Sequence, residues 1–124
     1  MTIAYWCVLA AGLMPFLWTS VAKTTGERFN NRTPREWQAR LSGLPARAHA
    51  AHLNSFEAFP LFAAAVIIAD LLDAPQATVD LLALAFIGLR VLYGILYLAD
   101  QHALRSLVWF AALACTVAIF VVAA

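Results

Sequence analysis

Residues 47–72 read RAHAAHLNSFEAFPLFAAAVIIADLL, from Arg47 to Leu72. The second half, Ala58 to Ala69, is nearly pure hydrocarbon. The whole run can cross a bilayer core about 30 Å thick, which takes roughly 20 helical residues. The first half is different. At about 100° per residue, Arg47, Asn54 and Glu57 fall within an arc of roughly 80°, while His49, His52 and Phe56 point the other way. A polar stripe therefore enters the bilayer with the helix. Ionisable groups at membrane depth cost on the order of 2.5–3.5 kcal/mol each on insertion scales, so such a stripe marks a functional site or a helix contact.

Three further apolar runs flank this one. Ile3–Ala22 carries no charge and one proline, Pro15; a run from Val79 to Ala99 is interrupted by Arg90; Leu107–Ala124 is uncharged. Ser20-Val21-Ala22 resembles a signal-peptidase site, but the run before it is too long for a signal sequence and lacks a basic start. The expected architecture is an all-α, four-transmembrane-helix bundle forming one domain over residues 1–124. Its helices are expected over residues 3–22, 46–72, 79–99 and 104–124, with a long loop over 23–45 and two tight turns.

Composition agrees. The 124 residues are 64% apolar and 12% charged, with a mean hydropathy of +0.80. A soluble domain this small has too little interior to hide so much apolar surface, and disordered chains are poor in hydrophobics. The net charge is +1, yet six of the eight basic residues lie between Lys23 and Arg47. Beside apolar spans, such a loop marks the cytoplasmic side rather than a nucleic-acid site. The turn after the second span holds Asp70, Asp73 and Asp80 and no base, so both termini are expected on the non-cytoplasmic side. The short turns and the absence of a retrieval signal point to a bacterial inner membrane. Cys7 and Cys115 lie in apolar runs and suggest neither a disulfide framework nor a metal site. No metal is expected: His49 and His52 supply two imidazoles without a third ligand. The serines Ser20, Ser42, Ser55 and Ser106 lack a nucleophile-elbow context. Trp6, Trp18, Trp37 and Trp109 read as interface anchors or packing aromatics, and the aspartates as a simple outer turn.

The third span repeats the device of the second. Arg90, Tyr93 and Tyr97 share an arc of about 60°. Arg90 must face protein rather than lipid, with Glu57 as its expected charge partner; one reading is that the pair and the phenols merely pin helices together. The other reading is a pocket. Guanidinium, amide, carboxylate and phenol groups bordered by hydrocarbon suit a zwitterionic polycarboxylate ligand, and the adjoining lipid-facing cleft suits a hydrophobic second substrate.

Two motifs carry a family resemblance. Arg47, then Ala51-His52-Leu53-Asn54, Glu57 and Pro60, and after them Arg90-Val91-Leu92-Tyr93, Tyr97 and Leu104-Arg105-Ser106, are similar to the membrane-associated proteins in eicosanoid and glutathione metabolism (MAPEG). That family includes the microsomal glutathione transferases. The resemblance covers Phe29 to about Trp109. It departs at Ala50, where several members carry an arginine. It implies a homotrimer that binds glutathione, in contact with the lipid bilayer, and no nucleic-acid partner. Asn54 and Glu57 would hold the peptide, with Arg47, His52, Arg90, Tyr93 and Tyr97 in the same pocket. Arg105, beside Ser106, would stabilise the thiolate as the catalytic pair. The implied activity is glutathione transfer to, or peroxidase or isomerase action on, a lipophilic electrophile. The competing expectation is a non-catalytic membrane scaffold or partner-binding bundle of the same fold; a small transporter is disfavoured by four short spans without a repeat.

Overall fold

A computed structural model describes residues 1–124 and contains only helices. Four are long and apolar enough to cross a membrane: α1 (Ile3–Thr25), α3 (Gly43–Leu71), α4 (Gln76–Leu98) and α5 (His102–Ala123). The short α2 (Pro34–Ala39) lies in the loop between α1 and α3. The spans are those that hydropathy indicates. Their ends differ: α1 runs on past Ala22 to Thr25, α3 starts at Gly43 rather than 46, α4 starts at Gln76, and α5 at His102.

The ends have local causes. Thr2 caps α1 by accepting from the Tyr5 N–H at 3.3 Å, and Asp80 of α4 accepts from the Ala4 N–H at 2.8 Å. Tyr5 donates its hydroxyl to Asp70 at 3.0 Å. The outer aspartates, read from sequence as a plain turn, thus cap and hold the start of α1. Helices α3 and α4 stop in the same way. Asp73 (φ 54°) and Asp100 (φ 59°) adopt the left-handed conformation. The following amides of Ala74 and Gln101 then reach back to the carbonyls of Ala69 and Leu96 at 3.0 Å, the Schellman arrangement. Gly43, at φ 62°, turns the chain into α3.

Small residues bring the spans close. Ala4, Cys7 and Ala11 of α1 meet Ala65 and Ala69 of α3 and Ala83 of α4, with Phe62 stacked on Phe86 at 3.9 Å. Where hydrocarbon lies outside as well as inside, close backbone approach and dispersion contacts are what remain to drive helix association. Trp18 lies directly against Gly94, where a methyl group would overlap the indole ring. Trp37 fills the space over Ala22 and Ala48 and ties α2 down. Outward-facing Leu13, Phe16 and Leu17 of α1, Leu84 and Ile95 of α4, and Leu107, Phe110 and Val121 of α5 are exposed, as a lipid-facing surface requires.

Candidate functional site

The polar residues of α3 and α4 meet inside the bundle. Arg90 is 3% exposed and lies roughly 12 Å inside the end of α4 at Leu98, at 1.5 Å of rise per residue. Its Nη2 donates to Asn54 Oδ1 at 2.8 Å, and Asn54 Nδ2 donates to Glu57 Oε2 at 3.0 Å. The expected direct ion pair between Glu57 and Arg90 is therefore replaced by an amide relay. Asn54 lies one helical turn from Glu57 and nearer to Arg90, and its side chain offers an acceptor to one charge and a donor to the other. Glu57 is exposed on the single chain and keeps its other carboxylate oxygen free of protein hydrogen bonds.

From Arg90 the contacts continue towards the α4–α5 turn. The Arg90 guanidinium lies over the Tyr93 ring at 4.3 Å, Tyr93 meets Tyr97 edge-on at 5.7 Å, and the Arg105 guanidinium lies over the Tyr97 ring at 4.0 Å. Cation–π contacts of this kind hold a guanidinium in place while leaving its N–H donors free for another acceptor. Glu57, Asn54, Arg90, Tyr93, Tyr97 and Arg105 form one unbroken ladder along α3, α4 and the start of α5. Below it, between α3, α4 and α5, a cavity of about 180 Å³ has Asn54, Glu57 and Arg90 at one end. Leu61, Phe86, Trp109 and Thr116 line the remainder, among others. Trp109 and Thr116 did not stand out in the sequence. Trp109 reads there as an interface anchor or packing aromatic, and nothing in the spacing distinguishes Thr116 from a core threonine.

Three of the residues named from sequence lie outside this ladder. Arg47 shares the stripe of Asn54 but sits about 10 Å further along the helix, and its Nε donates to the Leu98 carbonyl at 3.2 Å, closing the C-terminal end of α4. His52 faces α1: its Nδ1 lies 2.8 Å from the Pro15 carbonyl, which can only accept, so the ring is a donor there. His52 also stacks on His49, with ring centroids 5.6 Å apart. Ser106 is exposed and donates to the His102 carbonyl of its own helix at 3.0 Å.

The fold and this ladder define a four-span membrane protein with a charged, phenol-lined site within the bundle. The MAPEG family profile matches residues 3–124, essentially the whole chain. The chain belongs to the MAPEG family. No curated protein and no solved structure matches it. Membership places the protein among integral, multi-pass membrane proteins of glutathione and eicosanoid metabolism, whose members use glutathione as substrate or cofactor.

Proposed function

We propose that the chain is a membrane-bound, glutathione-dependent transferase that acts on a lipophilic electrophile. The observation that carries this reading is the unbroken ladder from Glu57 to Arg105. The two ends carry opposite charge. The free carboxylate oxygen of Glu57 suits the glutathione ammonium, and the Arg105 guanidinium suits the thiolate.

Arginine stays protonated at any physiological pH, so Arg105 acts as a fixed positive charge and never as a base. A cysteine-type thiol with a pKa near 8.5 is only a few per cent ionised at neutral pH. A guanidinium beside it, in the first turn of α5 where the helix dipole is positive, favours the thiolate. The thiol proton leaves to water at the turn. The sulfur electron pair then forms the S–C bond to the electrophile, whose leaving group departs with the electrons of the broken bond; no enzyme-bound covalent intermediate is needed. Arg90 and Asn54 keep Glu57 in place, and Tyr97 keeps Arg105 in place.

A cavity of about 180 Å³ is smaller than the roughly 300–1,000 Å³ of ordinary small-molecule sites, and Glu57 is open to the outside of the single chain. Both features support a site completed by a neighbouring copy in a homotrimer. Such a neighbour also offers a source for the cation missing at Ala50. We place the loop between α1 and α3 on the cytoplasmic side, with both termini opposite, because four cations, Arg28, Arg32, Arg35 and Arg40, gather there and Lys23 stands beside it in the last turn of α1; the short turns favour a bacterial inner membrane.

Calorimetry with reduced glutathione in detergent tests the reading. Wild type binds; Glu57→Ala weakens binding at least tenfold, and Arg105→Ala lowers turnover more than binding. A shared lack of response by wild type and Glu57→Ala ends the glutathione reading. One observation favours the scaffold alternative: the Asn54 amide is engaged on both sides by protein. In a scaffold, Glu57→Ala and Arg90→Ala disturb assembly equally and Arg105→Ala is silent.

A further inference from the structure

The basic loop is more ordered than its composition suggests. Trp37 is 1% exposed, its Nε1 donates to the Glu27 carbonyl at 3.0 Å, and Phe29 meets its ring edge-on at 5.0 Å. These contacts fix α2 over the bundle. Some cations here are occupied: Lys23, in the last turn of α1, lies over the Phe29 ring at 4.0 Å, and Arg40 pairs with Glu27 at 3.2 Å. Arg28 and Arg32 have no side-chain partner, and Arg35 has only the neutral amide of Gln38 at 3.1 Å. All three are exposed, and Glu36 is the one unpaired acid among them.

The height of this surface decides its partner. Val21 is the last branched apolar residue of α1, and Thr25 ends the helix about 6 Å beyond it at 1.5 Å per residue. A headgroup layer is roughly 5–8 Å thick. The three arginines therefore belong to a segment that Trp37 fixes over the end of the bundle, at the depth of lipid phosphates and beyond the exposed Phe16 and Leu17 of α1, which face acyl chains. Guanidinium groups bind phosphate through paired donors.

We propose that Arg28, Arg32 and Arg35 form a headgroup site for anionic phospholipid of the leaflet around this end of the bundle. The site is independent of the glutathione reading. It is tested by reconstituting the protein in bilayers of equal phosphatidylglycerol and phosphatidylcholine, extracting it again, and measuring the ratio of the two lipids retained. Wild type is expected to hold phosphatidylglycerol in excess, by about fivefold for each cation engaged at low salt. The excess falls towards one in Arg28→Gln/Arg32→Gln/Arg35→Gln and at high salt. Glu36→Gln, which removes the opposing acid and leaves the buried anchor untouched, raises it. An even ratio in wild type overturns the proposal, as does an excess that the triple arginine variant keeps in full. Retention of nucleic acid by wild type in place of anionic lipid overturns it as well.

Discussion

Replacing Asn54 by leucine probes the amide relay at the centre of the site. The shape is nearly kept, but Arg90 loses its 2.8 Å acceptor and Glu57 its 3.0 Å donor. The loss at Glu57 is small, since that carboxylate is exposed. The loss at Arg90, which is 3% exposed, is not. A hydrogen bond to a charged group contributes about 1.5–3 kcal/mol, and an uncompensated buried charge raises the cost of losing it to about 3–5 kcal/mol. The Tyr93 ring at 4.3 Å remains as a weaker partner, so about 2–4 kcal/mol is expected for Asn54→Leu. Arg90→Leu strands only the neutral Asn54 carbonyl and costs less, about 1–3 kcal/mol. The double variant removes both partners, and replacing a buried polar pair by apolar side chains is often nearly neutral. Equilibrium unfolding in mixed micelles, followed by circular dichroism, should therefore find the double variant more stable than Asn54→Leu alone. The expected coupling energy is at least about 1.5 kcal/mol. Simple additivity of the two single effects would refute the relay.

Other expectations follow from single contacts. Gly94→Ala forces a methyl into the Trp18 ring and should destabilise by about 1–3 kcal/mol or more, whereas Gly88→Ala in the same helix meets open space and should stabilise by about 0.5–1 kcal/mol; the same unfolding assay separates them. Asp100→Gly relieves a left-handed residue at φ 59° and should gain about 0.5–1 kcal/mol, visible as a raised thermal midpoint. Ser106→Ala removes only a bond within its own helix, so conjugation of a model electrophile should stay within about twofold of wild type while Arg105→Ala falls at least about tenfold.

The four spans are legible in the sequence because hydrocarbon length is a strong signal and lipid leaves few alternatives to helix. Their ends are less so. Nothing in Asp73 or Asp100 announces a left-handed cap, and the acceptor for the Ala4 amide comes from Asp80, distant in sequence. The six residues of α2 are too few to show a period, and their anchor, Trp37, is buried by tertiary contacts alone. Helical azimuth is enough to put Asn54 and Glu57 on one stripe and Arg90, Tyr93 and Tyr97 on another, the two stripes that the structure joins. Azimuth ignores height, however. Arg47 lies on the same stripe but at the level of Leu98, whose carbonyl takes it first. Motif likeness drew in His52, which the same periodicity placed on the opposite face, where the Pro15 carbonyl holds it.

Glutathione binding at this site would turn most on one pairing, the Glu57 carboxylate with the ammonium group of the ligand. Titration of wild type and Glu57→Ala in detergent, each with glutathione and with its deamino analogue, isolates that pairing. Wild type should bind glutathione about 10- to 100-fold more tightly than the analogue, the range expected of a hydrogen bond between charged groups, and Glu57→Ala should bind the two alike. Equal binding of both ligands by wild type, or discrimination that survives in Glu57→Ala, would contradict a pairing of Glu57 with the glutathione ammonium.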